Sequence, residues 1–138
     1  MSRADASQRN GLEMILDWLD ALRQGDLDAV QRLLTPDVVW YGLSPELVCA
    51  GREDVLEVLR EQLPVRCDAD ALELLRAPNH VVMGTRSDHL PQPGGIELHG
   101  QVYNVFERRD GAFATIRDFT TRADALEAAG LAGRAEWV

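Results

Sequence analysis

The sequence predicts an α+β fold in which helices pack on one face of an antiparallel sheet and the sheet curls into a pocket. Two stretches near the N-terminus have apolar residues at helical spacing, and the chain from about residue 71 to residue 119 reads as strands separated by turn signals. A helical pattern returns after residue 119. Helices followed by consecutive hairpin-linked strands are typical of α+β domains. A chain of 138 residues suits one domain, residues 1–138, with its own core.

The first predicted helix begins near Leu12 and has a broad apolar face. The apolar residues of that face are Met14, Ile15, Leu16, Trp18, Leu19 and Leu22. Gly25 ends this helix, and Asp26 is a suitable N-cap for a short second helix that ends at the sequence Thr35-Pro36-Asp37. A third helix follows and ends at Pro64.

The predicted strands begin with the β-prone run from Val38 to Tyr41 and continue in four segments near residues 71, 81, 96 and 113. Turns are expected at Pro78-Asn79, at the sequence PQPGG and at Asp110-Gly111, which is a strong hairpin signal. The last helix is expected to start at Thr121 as N-cap and to end at Gly130.

The charge balance of the chain indicates which classes of partner the protein can bind. Asp and Glu number 23 against 14 Lys and Arg, giving a formal net charge of -9. This field repels phosphate, so neither nucleic acid nor a membrane surface is an expected partner, whereas an uncharged or cationic small molecule is accommodated more easily. No apolar run reaches the length of a membrane span and the N-terminus does not resemble a signal peptide, which predicts a cytoplasmic protein.

The cysteines and histidines do not form a recognisable metal site. Cys49 and Cys67 lie far apart without a CxxC motif, and His80, His89 and His99 lack the spacing of metal ligands. We therefore expect no metal and no cofactor.

Candidate chemistry comes from two acidic residues and one arginine. Side chains two apart on a strand project from one face, so Arg86 lies beside Asp88, while Asp118 shares a face with Ala114 and Ile116. If these faces form one pocket wall, Arg86 bridges two carboxyl groups that share a proton, giving one acid and one base. Alternatively, Arg86 and Asp88 form a solvated ion pair, and Asp118 accepts hydrogen bonds from the start of the last helix.

A pocket for a hydrophobic small molecule is expected because the strands carry apolar residues on both faces. The candidate lining residues are Trp18, Leu22, Trp40, Tyr41, Val102 and Asn104. On a regular strand only one of Trp40 and Tyr41 can face the pocket, and the pattern leaves this choice open. Core packing for Trp18 and a backbone hydrogen bond for Asn104 are the structural alternatives.

Three segments carry a family resemblance that covers nearly the whole chain. They are WLDALRQGDLDAVQRLLTPDVVW, GREDVLEVLREQL and VYNVFERRDGAFATIRDF followed by a helix. Together they resemble the nuclear transport factor 2-like, or SnoaL-like, superfamily of cystatin-like α+β cones. The resemblance implies a homodimer formed through the open sheet face. The superfamily includes ketosteroid isomerases, SnoaL-type polyketide cyclases, limonene-epoxide hydrolases and domains that only bind ligands, so fold is better determined than function.

Within the superfamily the chain is most similar to the limonene-epoxide hydrolase type, through Arg86-Ser87-Asp88 and Arg117-Asp118-Phe119. The resemblance implies a hydrolase in which Asp118 activates water, Asp88 protonates the epoxide oxygen and Arg86 bridges them. The Tyr and Asn that help hold the water in that family are not matched at Val39–Leu43, where only Tyr41 could serve after a one-residue shift.

Other members of the superfamily suggest alternatives. The ketosteroid isomerase pattern is not met, because its Tyr and two Asp positions fall at Trp18, Gly42 and Asn104. A SnoaL-type cyclase needs an acidic residue in the pocket, and Asp118 or Asp88 could meet that need. A small-ligand-binding domain without catalysis is the third possibility.

Overall fold

The computed structural model describes residues 11–44, 46–62, 71–86 and 100–131. These residues form four helices and six strands. The helices are α1 Gly11–Gln24, α2 Leu27–Gln31, α3 Arg52–Gln62 and α4 Arg122–Ala128. The strands are β1 Leu34–Tyr41, β2 Val48–Ala50, β3 Ala71–Ala77, β4 His80–Arg86, β5 Gln101–Arg109 and β6 Ala112–Phe119. None of the described helices is long and apolar enough to cross a membrane.

All six strands belong to one curved sheet that does not close on itself, in the order β2-β1-β6-β5-β4-β3. The α+β fold class is therefore confirmed. The sheet is mixed, however, because β1 and β6 run parallel while every other neighbouring pair is antiparallel. A purely antiparallel sheet was expected because adjacent strand signals suggest hairpins. The first strand instead lies beside the last one, and tertiary packing decides that pairing.

Several local predictions are confirmed by hydrogen bonds and backbone angles. The side chain of Asp26 accepts a hydrogen bond from the backbone N–H of Ala29 at 3.1 Å, which caps α2. The hydroxyl of Thr121 accepts one from the N–H of Asp124 at 3.2 Å, which caps α4. Asp110 and its neighbouring glycine both have positive φ, as a tight hairpin turn requires.

One predicted boundary needs correction, and two other predicted features lie outside the described residues. Helix α2 ends at Gln31, and the segment Thr35–Asp37 belongs to β1. Strand β1 begins before Pro36 because it pairs with β6 from Leu34 onward. Pro64 and the sequence PQPGG lie outside the described residues.

The sheet face that packs against α1, α2 and α3 is called the inner face. Its core contains Val81, Phe106 and Ile116 from the strands together with the buried side of α1. Trp18 on α1 contacts Phe106 and Phe113 edge-on, with ring centroids 5.4 and 6.1 Å apart. These aromatic contacts hold the first helix across the sheet.

The opposite, outer face is partly covered by α4, so helices pack on both faces and not on one as expected. Ala125 and Leu126 of α4 pack against Val82, Tyr103 and Val105. Helix α4 is fixed there because its side chains add a second apolar cluster to the sheet. The homodimer expected through the open part of the sheet stays a prediction.

Candidate functional site

Three polar or amphipathic side chains meet on the inner face at Asp118. Asp118 on β6 lies directly opposite Asn104 on β5. Trp40 on β1 lies beside Ile116, which is two residues before Asp118 and on the same face. Three neighbouring strands therefore bring an acid, an amide and an indole together from distant parts of the sequence.

Both neighbours donate hydrogen bonds to the same oxygen of Asp118. The indole Nε1–H of Trp40 donates to Oδ1 at 2.9 Å, and Nδ2–H of Asn104 donates to Oδ1 at 2.6 Å. All three residues are half-buried, so the group is at the border of the core and open to contact from outside it. Among the described residues no hydrogen bond reaches Oδ2. As far as the described residues go, Oδ1 is held by the protein and Oδ2 is available to a ligand or a proton.

The surroundings of Asp118 tune it for proton transfer near neutral pH. Burial raises the pKa of this carboxyl group to about 6, against the lowering effect of the hydrogen bonds from Trp40 and Asn104. Desolvation penalises the charged form more than two neutral donors stabilise it. A group with such a pKa changes protonation state easily in either direction. The alternative role as a helix cap is not seen, because Thr121 caps α4.

Cys49 lies next to this group, although no motif in the chain predicts that placement. It pairs with Trp40 across β1 and β2 and packs against the inner core. Burial raises the pKa of its thiol, and the charges of Asp54 and Asp118 raise it further. The thiol is therefore neutral at physiological pH. In the described part of the chain, no group of three His, Cys, Asp or Glu side chains is placed to hold a metal ion.

The expected bridge from Arg86 to Asp118 is wrong. Arg86 pairs with Gln101 on β5, so it projects from the face opposite to Asn104 and Asp118. Strand periodicity assigns each side chain to one of two faces, but it cannot tell which face of β4 matches which face of β6. Asp88, the other expected partner, lies outside the described residues.

On the outer face Arg86 belongs to a different polar cluster. Burial and the Glu73 carboxylate raise the pKa of Tyr103, whereas Arg86 and Arg122 lower it. Arg122 of α4 forms a buried, bidentate ion pair with Glu73, with distances of 2.8 and 2.9 Å. Gly84 makes room for the Tyr103 ring, since a Cβ atom there would lie 2.4 Å from it. This cluster anchors α4 to the sheet.

The remaining expected pocket residues lie in three places, the inner core, the inner face and the outer face. Trp18 and Leu22 are almost fully buried in the inner core, so their role is core packing, the structural alternative. Val102 is half-buried on the inner face, two residues from Asn104. Tyr41 is 41% exposed on the outer face, where the guanidinium of Arg117 lies 5.3 Å from its ring centroid. Of Trp40 and Tyr41, the structure thus turns Trp40 inward.

The curved six-stranded sheet with helices against its inner face has the cystatin-like α+β fold. The chain is a member of the SnoaL-like domain family, whose model matches residues 15–116. No curated protein matches it in sequence.

Solved structures with the same fold share little sequence with the chain. A cystatin-fold protein from Novosphingobium aromaticivorans has a TM-score of 0.63 at 16% identity, with 80% of this chain and 98% of that chain covered. A protein from Sinorhizobium meliloti provisionally assigned as a polyketide cyclase has a TM-score of 0.56 at 17% identity, covering 78% and 94%. One from Kribbella flavida provisionally assigned as a ketosteroid isomerase has a TM-score of 0.58 at 17% identity, covering 78% and 74%. These likenesses support the fold alone.

Proposed function

We propose that the protein is a cofactor-free acid/base enzyme that acts on a hydrophobic small molecule, with Asp118 as the group that accepts and returns the proton. The observation that carries the proposal is the carboxyl group on the inner face, which is held through Oδ1 and has a pKa raised to about 6. Perturbed carboxyl groups at the border of an apolar core are typical of catalytic sites.

The chemistry that one such group supports is proton transfer on carbon. Oδ2 of Asp118 accepts the proton of a C–H bond next to a carbonyl, and the electron pair of that bond moves onto the carbonyl oxygen. The protonated carboxyl group then returns the proton to another carbon of the substrate, as in an isomerase. In a cyclase it returns the proton to the alkoxide formed when the ring closes. Either cycle leaves Asp118 as it began.

Epoxide hydrolysis is the more demanding version of the same proposal. It needs a base to activate water and a separate acid to protonate the epoxide oxygen, and the resemblance assigns the acid to Asp88. The described residues place Asp118 beside Trp40 and Asn104, while Arg86 lies on the outer face. We therefore favour the isomerase or cyclase type, which needs a single carboxyl group, over the hydrolase type.

An isotope assay with several classes of candidate substrate tests the proposal. Panels of cyclic ketones, polyketide-like aromatic ketones and epoxides are incubated with the protein, in D2O and separately in heavy-oxygen water, and analysed by mass spectrometry. We expect deuterium to enter ketones by proton exchange. Heavy oxygen entering an epoxide would support the hydrolase type instead.

Two variants assign the activity to the site. Asp118→Asn is expected to lower the exchange rate by about a hundredfold to ten-thousandfold, the usual contribution of a general acid or base. Asp28→Asn removes an exposed carboxylate on α2 and is expected to keep the parent rate. Equal rates for the parent and Asp118→Asn would contradict the proposal. Ligand binding without any isotope exchange would favour a binding domain.

A further inference from the structure

The described groups around Asp118 are either uncharged or negatively charged. Its two hydrogen-bond donors, the indole of Trp40 and the amide of Asn104, carry no charge. Asp54 of α3 adds a negative charge near Cys49, where it raises the pKa of the thiol as Asp118 also does. Among the described residues, no basic side chain forms an ion pair with Asp118.

Within the described residues, this arrangement leaves a carboxylate in apolar surroundings without a counter-ion. Elsewhere in the protein, buried charge is paired: Glu73 and Arg122 neutralise each other on the outer face. An unpaired carboxylate in a low-dielectric site is costly, and a bound cation removes part of that cost. The group that Asp118 lacks within the described chain is therefore one that a ligand can bring.

We propose that the ligand of this site carries a protonated amine, and that an ammonium N–H donates to Oδ2 of Asp118. The inference rests on the proposed function in that it uses the same site, but it concerns what the site binds and not what it catalyses.

Two further features of the site agree with an amine. Trp40 is half-buried beside the carboxylate, and indole rings attract ammonium groups more strongly than other aromatic rings do. The half-buried side chain of Val102, two residues from Asn104 on the inner face, suits alkyl or aromatic substituents on the nitrogen. The net charge of -9 also favours the approach of a cation.

The pH dependence of binding follows from the groups that face the site. Asp118 is the titrating group, and it gains its charge as the pH rises through about 6. The raised pKa of Cys49 keeps its thiol neutral, and Asp54 adds a further negative charge from α3. The described inner side of α1 contributes apolar residues such as Trp18. Affinity for an amine should therefore rise between pH 5 and pH 7.

Three ligands of equal shape and different charge test the inference. Cyclohexylmethylamine, cyclohexylmethanol and cyclohexanecarboxylate are titrated calorimetrically into the parent, Asp118→Asn and Asp28→Asn at pH 7.5 and pH 5. We expect the amine to bind the parent at least about tenfold more tightly than the alcohol at pH 7.5, since charge-assisted hydrogen bonds are the stronger ones. The carboxylate should bind most weakly.

The advantage of the amine should disappear in Asp118→Asn, persist in Asp28→Asn, and fall about tenfold in the parent at pH 5, where most Asp118 is protonated. Equal binding of amine and alcohol, an amine advantage that survives in Asp118→Asn, or no amine binding at millimolar concentration would overturn the inference. The isotope assay reports separately on the reaction. Amine binding without exchange would refute only the proposed function, and exchange without amine preference would refute only this inference.

Discussion

Replacing Asp118 with asparagine is expected to stabilise the folded protein at neutral pH and to change its stability little in acid. The carboxyl group has an ordinary pKa of 3.8, which rises to about 6 in the folded chain. The gap of about two pKa units corresponds to about 3 kcal/mol of preference for the protonated form in the folded state. That contribution is fully present below about pH 4 and is lost as the pH rises through about 6.

Asparagine matches aspartate in shape and keeps a carbonyl oxygen for the hydrogen bonds from Trp40 and Asn104. Urea denaturation at a series of pH values gives the free energy of unfolding of both proteins. The variant should exceed the parent by an amount that grows from near zero at about pH 4 to as much as about 3 kcal/mol above about pH 7. A difference that is constant over this range would refute the raised pKa of Asp118.

Asp37 provides a control of opposite sign. The nearby Thr35 hydroxyl and a hydrogen bond from Arg109 lower the pKa of this exposed carboxyl group. Its contribution to stability is therefore present above its ordinary pKa and is lost as the pH falls below about 4. Asp37→Asn should lower the free energy of unfolding near neutral pH and approach the parent value in acid. Asp118→Asn should instead raise the free energy of unfolding near neutral pH.

Two other changes test the inner and outer faces separately. Trp40→Phe removes a donor to the charged form of Asp118, so the pKa of that carboxyl group should rise above its parent value of about 6 in a carbon-13 NMR titration. Tyr41→Phe should leave the pKa in place. Glu73→Gln leaves Arg122 buried without its anion and should lower the free energy of unfolding by about 3–5 kcal/mol. A Glu73→Leu variant should be similarly destabilised, and adding Arg122→Met to it should recover much of the lost free energy of unfolding. A double variant as unstable as Glu73→Leu alone would contradict the ion-pair account.

Local sequence signals were sufficient for most elements of the fold. The apolar spacing of α1, the N-caps Asp26 and Thr121 and the hairpin turn at Asp110 are decided by residues within a few positions of each other. Such short-range physics is readable from the chain because a cap or a tight turn depends on the local backbone. The parallel pairing of β1 with β6 was not readable, since it joins segments more than seventy residues apart.

The candidate site divides in the same way. Asp118 was identifiable from the sequence as an acid on a strand with apolar neighbours, and Trp40 and Asn104 as possible lining residues. Their hydrogen bonds to one carboxyl oxygen depend on strand order and register, which no local pattern specifies. Strand order and register also place Arg86 on the outer face and Cys49 beside Trp40.

The chain by itself determined the kinds of element, their ends and the supply of acidic, aromatic and amide groups, because these follow from spacing and side-chain chemistry. Only the folded sheet decided which of those groups share a face. That choice is a matter of long-range packing: a shift of one residue in register turns every side chain of a strand to the other side, and the burial of the inner core selects between the two.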